Sequence, residues 1–262
     1  MKNLQKVKWS KLNIKKAVVI VAFGTAKDEG FNKYLLPFLK DVKDKYGKEY
    51  DYFFSLTSEK MLSKLSLDIK GYKQTLEELK NNNYKIVYVE ALYLSRGKEY
   101  LKVLEATEEY KKYFEKIKVT KPLMEEREDL IDFYINKYKN ILFICHGILG
   151  SKDNFEEKYI NKAIQINKKL DKIYIALINN KEAYKYLLED IKKDNIKEIA
   201  IVPILITKGY HFNIDIISDK DDSILSKLKS MNIKVEIIDK VLSQNKLFRN
   251  IVLDIFDNMI IE

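Results

Sequence analysis

Two stretches of this chain repeat one another, and that repeat limits what it can fold into. Ala17-Val18-Val19-Ile20-Val21-Ala22 runs into Phe23-Gly24-Thr25, and Asn140-Ile141-Leu142-Phe143-Ile144-Cys145 runs into His146-Gly147-Ile148. A second pair keeps the same order. Val87 to Tyr100 and Ala200 to Phe212 each carry an apolar run, then Ser95 or Thr207, Arg96 or Lys208, Gly97 or Gly209, and an aromatic residue. Phe23 thus corresponds to His146, and Glu99 to His211. The repeat is far longer than the periods of about 20–50 residues seen in stacked arrays, so it reads as a duplicated domain.

Strand-like runs recur at Ala17–Ala22, Tyr52–Leu56, Ile86–Leu94, Ile117–Val119, Ile141–Cys145, Ile173–Ile178, Glu198–Ile206 and Lys234–Ile238. They are nearly continuous in apolar residues rather than alternating, which marks strands covered on both faces of a parallel sheet. Amphipathic helical segments lie between them: Tyr72–Leu79, Tyr100–Phe114, Tyr159–Leu170 and Tyr184–Ile191. The expected fold class is α/β, with two similar Rossmann-like halves, each a parallel sheet flanked by helices, around a central cleft. The halves divide as residues 1–120, with a basic N-terminal extension at 1–15, and residues 121–262. Pro37 should kink or split the helix from Phe31 to Val42, Pro122 marks the crossover, and a last helix near Lys246–Ile260 packs back on the first half.

Ligands of open parallel sheets sit beyond the carboxyl ends of the strands, where strand order reverses. Gly24, Gly97, Gly147 and Gly209, half of the 8 glycines, fall at such ends. So do His146 and His211, the chain's only histidines. A lone histidine is usually satisfied in a core, but two on equivalent loops beside glycine point to one shared metal or to acid–base work. Glu99, matched to His211, is the expected carboxylate partner; its alternative role is to favour the helix N-terminus. Asp215 is open to a site role, whereas Asp222 or Ser223 should cap the next helix.

Composition narrows the partners. The net charge is +9, yet arginine occurs only at positions 96, 127 and 249, and lysine is interleaved with acidic residues, the pattern of a solvated surface rather than a nucleic-acid face. No apolar run approaches the roughly 20 residues of a membrane span, and the single cysteine, Cys145, allows no intrachain disulfide. A cytoplasmic protein without nucleic-acid or membrane partners is expected, with oligomeric state, including a homo-oligomer, left open. Nucleotide-binding glycine motifs are absent, so no nucleotide cofactor is expected. Cys145 should be a buried small hydrophobe, since alternation turns it away from His146.

Taken in order, Ala22-Phe23-Gly24-Thr25, Ser55 to Leu65, Arg96-Gly97-Lys98-Glu99-Tyr100, His146-Gly147 and the Gly209-Tyr210-His211 segment followed by Asp215, Asp219 and Asp222-Ser223 resemble the anaerobic sirohydrochlorin cobaltochelatases of cobalamin synthesis. The likeness runs from Lys16 onward. It implies two α/β halves around a cleft, a fold related to the class II ferrochelatases, and insertion of Co2+ into sirohydrochlorin without ATP. It also implies that His146, His211 and Glu99 hold the metal and accept protons, and that Phe23, Gly24, Thr25, Tyr93, Gly97, Gly147 and Gly209 line the tetrapyrrole. Imidazole and carboxylate suit several divalent ions, so Fe2+ and Ni2+ stand beside Co2+. Tyr93, Asn179 and Ile148 depart from the His, Glu and Thr that the family pattern suggests, and Gly150-Ser151 replaces a further His. Loss of such surrounding polar groups costs about 10–100-fold in metal affinity or activity. A chelatase of other metal or ring specificity, or a tetrapyrrole- or metal-binding protein without turnover, are the alternative readings.

Overall fold

The computed structural model describes residues 14–127, 129–135, 137–147, 158–160, 172–178, 180–209 and 212–261. Five parallel strands make the first sheet: β1 (Lys16–Ala22), β2 (Asp51–Leu56), β3 (Lys70–Gly71), β4 (Ile86–Ala91) and β5 (Lys116–Val119), in the order β3-β2-β1-β4-β5. Four make the second: β6 (Asn140–Cys145), β7 (Lys172–Leu177), β8 (Glu198–Ile204) and β9 (Lys234–Ile237), in the order β7-β6-β8-β9. Under the repeat, β2-β1-β4-β5 becomes β7-β6-β8-β9. The two sheets share one topology, and the duplication read from Phe23 and His146 is a duplication of strand order. The long helices are α1 (Leu36–Tyr46), α2 (Tyr72–Asn81), α3 (Lys98–Tyr110), α4 (Tyr184–Lys193), α5 (Ile224–Ser230) and α6 (Lys246–Ile261). Among the described residues no helix is long and apolar enough to cross a membrane.

The continuous apolar run of β1 is explained by two covered faces. Ala17, Val19 and Val21 pack with Val87, Val89 and Ala91 of β4 beneath Tyr72 and Leu76 of α2 and Val103 of α3. Val18, Ile20 and Ala22 point the other way, into a core that runs on through Phe38 and Val42 of α1, Phe248 and Phe256 of α6, and the strands of the second sheet. The last helix joins the two sheets to one core. Its Phe248 meets Phe38 edge-on at 6.4 Å, and Asp41 of α1 accepts from Lys246 at 2.7 Å and from Arg249 at 2.6 Å. Lys45 and Tyr46 both donate to Asp257.

Several elements end differently from their apolar runs. β4 stops at Ala91 rather than Leu94 because its neighbours run out, β1 at Ala22 and β5 at Val119. For the same reason β8 stops at Ile204, opposite Cys145, rather than at Ile206. Between Phe31 and Leu35 the backbone winds as a π-helix before α1, which carries Pro37 in its first turn, where a missing N–H costs nothing. The helical stretch from Asp28 to Tyr46 is thus divided beside Pro37, where the winding changes from π to α. α3 begins at Lys98 and gives way to a 3₁₀ turn at Lys111–Tyr113. The two-residue β3 has no apolar run to announce it. The predicted helix at Tyr159–Leu170 lies largely outside the described residues.

Each of α2, α4 and α5 is followed by an asparagine in the left-handed region: Asn83 (φ 59), Asn195 (φ 50) and Asn232 (φ 57). Asparagine tolerates this conformation and lets the chain turn directly into the next strand. The recurring Asn-[Tyr/Ile]-Lys at 83–85, 195–197 and 232–234 is the sequence trace of that turn.

One residue conflicts with its surroundings. Glu90 of β4 is fully buried, and neither carboxyl oxygen finds a hydrogen-bond partner among the described residues. Burial drives its carboxyl well above the usual carboxylate range, and the nearby Thr120 hydroxyl offsets only part of that. A carboxyl raised in the folded state favours folding below its unfolded value, and that contribution is lost as pH rises toward the folded value. The wild-type protein should therefore lose urea resistance as pH rises above about 4.5. Glu90→Gln should flatten that slope. Parallel pH–stability curves for the two proteins would contradict this account.

Candidate functional site

Strand order reverses between β1 and β4 in the first sheet and between β6 and β8 in the second. The loops leaving these four strands are therefore where a ligand would sit. β1 ends at Ala22, and the next side chain, Phe23, is 45% exposed although large and apolar. Gly24 follows at φ +118, and a Cβ there would lie 2.9 Å from the Met61 Cβ and 3.0 Å from the Leu56 Cδ1. Both the backbone angle and the space require glycine. The tight turn lets Thr57 N–H donate to the Ala22 carbonyl and Ser58 N–H to that of Phe23. Thr25 is buried, and its hydroxyl donates to the Lys27 carbonyl, so it shapes this loop from within.

In the second sheet His146 takes the place of Phe23. Its ring is exposed, and Gly147 (φ 75) again carries the left-handed turn. The His146 Nδ1 lies 3.1 Å from the Gly147 carbonyl oxygen. A carbonyl only accepts, so Nδ1 is the donor in this contact, an arrangement that in the neutral ring puts the lone pair on Nε2. Cys145, one residue earlier, is fully buried.

The loop after β4 carries Tyr93 and Glu99. The Tyr93 hydroxyl lies 2.8 Å from Thr57 Oγ1, and its ring meets that of Tyr100 edge-on at 6.1 Å. Burial pushes this phenol up, the Thr57 hydrogen bond draws it partly back, and the Glu99 charge adds to the rise, so Tyr93 stays neutral at physiological pH. Arg96 forks onto Glu125 at 3.2 and 2.8 Å and lies over the Tyr100 ring. Glu99 is the second residue of α3, where the helix dipole favours a carboxylate. Its Oε1 accepts from Lys102 at 2.7 Å, whereas its Oε2 is buried with no hydrogen-bond partner among the described residues. Gly97 and Gly209 differ from Gly24, since no atom lies within 4 Å of an added Cβ at either and neither has a left-handed φ.

His211, Asn179, Ile148, Gly150 and Ser151 lie outside the described residues. Among those described, no group of three or more His, Cys, Asp or Glu side chains is placed to hold one metal ion. Asp215, in a π-helical turn at Phe212–Ile216, is largely buried and paired with Lys181 at 2.8 Å. Ser223, not Asp222, caps α5 by accepting from the Ser226 N–H at 3.1 Å. Two residues passed over in the sequence touch the expected ones, Thr57 on Tyr93 and Lys102 on Glu99. The second was legible, because Glu99 and Lys102 stand three residues apart on one helix.

Residues 16–261 match the model of the cobalt chelatase (CbiK) family. The sirohydrochlorin cobaltochelatase of Salmonella typhimurium is 21% identical over 226 residues, covering 80% of this chain and 83% of that one. Two solved structures share the fold. The sirohydrochlorin chelatase SirB from Bacillus subtilis subspecies spizizenii in complex with cobalt has a TM-score of 0.62 at 13% identity, over 94% of this chain and 95% of that one. SirB from Bacillus subtilis with Fe3+ has a TM-score of 0.66 at 14% identity, over 94% and 96%.

Proposed function

The chain belongs to the cobalt chelatase (CbiK) family, and from that premise we propose that it inserts Co2+ into sirohydrochlorin, without ATP, in the cytoplasm. The observation that carries this reading is His146. It stands at the carboxyl end of a central strand, exposed, with Nδ1 3.1 Å from the Gly147 carbonyl. That geometry supports a metal ligand and proton acceptor in one group.

Insertion needs a weakly held divalent ion, a base for the pyrrole N–H protons, and a surface for the ring. His146, His211 and Glu99 hold the incoming ion, with coordination positions left for the pyrrole nitrogens. Phe23, at the place in the first half that His146 occupies in the second, lays an apolar face against the macrocycle; Gly24, Gly147, Gly97 and Gly209 keep the loops slim enough for it to approach. Thr25 holds the Phe23 loop, and Tyr93 offers a neutral hydroxyl paired with Thr57. Buried Cys145 has no part in the chemistry.

Purified protein assayed anaerobically with sirohydrochlorin and Co2+, Fe2+ or Ni2+ should change the tetrapyrrole absorbance fastest with Co2+ and equally with or without ATP. Ring binding without spectral conversion by any of the metals would replace this reading with a binding protein.

A further inference from the structure

The Glu99 carboxylate, proposed above as a metal ligand, is not presented open. Lys102 Nζ sits 2.7 Å from its Oε1, while Oε2 is buried with no hydrogen-bond partner among the described residues. On a helix surface such a pair three residues apart contributes little to stability, about 0.2–0.5 kcal/mol. Its consequence for a cation is larger. A divalent ion reaching Glu99 meets a positive charge already on the carboxylate, and one unit charge within about 4 Å of such an ion changes binding by more than about tenfold even in a watery surrounding.

The ammonium has somewhere else to go. Lys102 is more than half exposed and lines a groove of about 710 Å³ between α2 and α3. Glu105, one helical turn beyond Lys102 and on the same groove, is exposed and makes no ion pair among the described residues. Lys102 thus stands between two carboxylates at i−3 and i+3, one at the strand end and one in the groove.

We propose that Lys102 is a positioning residue for metal delivery. It latches Glu99 in the metal-free protein, swings to Glu105 when a divalent cation arrives, and returns to help expel the cation from Glu99 into the ring. The idea rests on Glu99 being a ligand. A metal that is a substrate must be held loosely enough to leave, and a returning cationic side chain provides that looseness.

The test is Co2+ titration of the full chain by calorimetry, with steady-state insertion kinetics, for the wild type and for Lys102→Met, Lys102→Arg and Glu99→Gln. Because position 102 is exposed and glutamine keeps the shape of Glu99, all should fold alike by circular dichroism. Lys102→Met should bind Co2+ about tenfold or more tightly, with a lower KM for Co2+ and a lower kcat, since the ion is retained; Lys102→Arg should restore wild-type values. A helix-stabilising role alone would not split KM from kcat in this way. If Lys102→Met binds Co2+ with wild-type affinity while Glu99→Gln binds it more weakly, the latch is wrong and the ligand role of Glu99 stands. If Glu99→Gln leaves Co2+ affinity unchanged, the ligand role fails and the latch with it.

Discussion

Replacing His146 by alanine should reduce Co2+ insertion by at least about 100-fold, because the change removes the group proposed as both metal donor and proton acceptor, and a positioned general base alone contributes about 10²–10⁴-fold. The side chain is exposed, and the turn beside it is made by Gly147, so removing the ring opens no cavity in the core. Folding should therefore be unaffected. Stoichiometric Co2+ binding followed by titration, together with circular dichroism, separates loss of the site from loss of the fold. An alanine variant that still bound one Co2+ with wild-type affinity would remove His146 from the site.

The largest stability effect should come from Phe248→Ala in α6. Phe248 is fully buried, packs edge-on against Phe38, and belongs to the core that both sheets share. Truncating a core phenylalanine costs about 3–5 kcal/mol, from lost transfer energy and from the cavity left behind. Domains are stable by only about 5–15 kcal/mol, so this one change could remove much of the margin. The half-exposed ion pair of Asp257 with Lys45 should not rescue the helix, since such pairs are individually weak. Urea unfolding should show a lower midpoint, whereas an unchanged midpoint would mean that α6 is not part of the cooperative core.

Much of this was legible because the signals are local. Continuous apolar runs named the buried strands to within a few residues, since a strand covered on both faces has no polar side to show. The errors at Leu94 and Ile206 share one cause. Those residues are as apolar as a strand needs, but the neighbouring strands had ended and left no ladder to join. Pro37 marked where the helix is divided, but that the division takes the form of a π-helical segment at Phe31–Leu35 was not legible in it. The asparagine turns at 83, 195 and 232 were readable in principle, through a repeated tripeptide, and were missed.

For the site, the sequence by itself determined which residue types stand at the strand ends: Phe23-Gly24, His146-Gly147 and Glu99 on duplicated loops, with glycine demanded at 24 by both angle and space. It could do so because strand order and residue order repeat together. Tertiary structure decided what each of those groups has as a neighbour. That Thr57 meets the Tyr93 hydroxyl, and that the buried Glu90 carboxyl oxygens find no hydrogen-bond partner among the described residues, are consequences of how strands far apart in the chain are brought side by side. Hydrogen-bond partners and burial set the protonation of Tyr93 and Glu90, and both are properties of the packed neighbourhood, which no stretch of sequence contains.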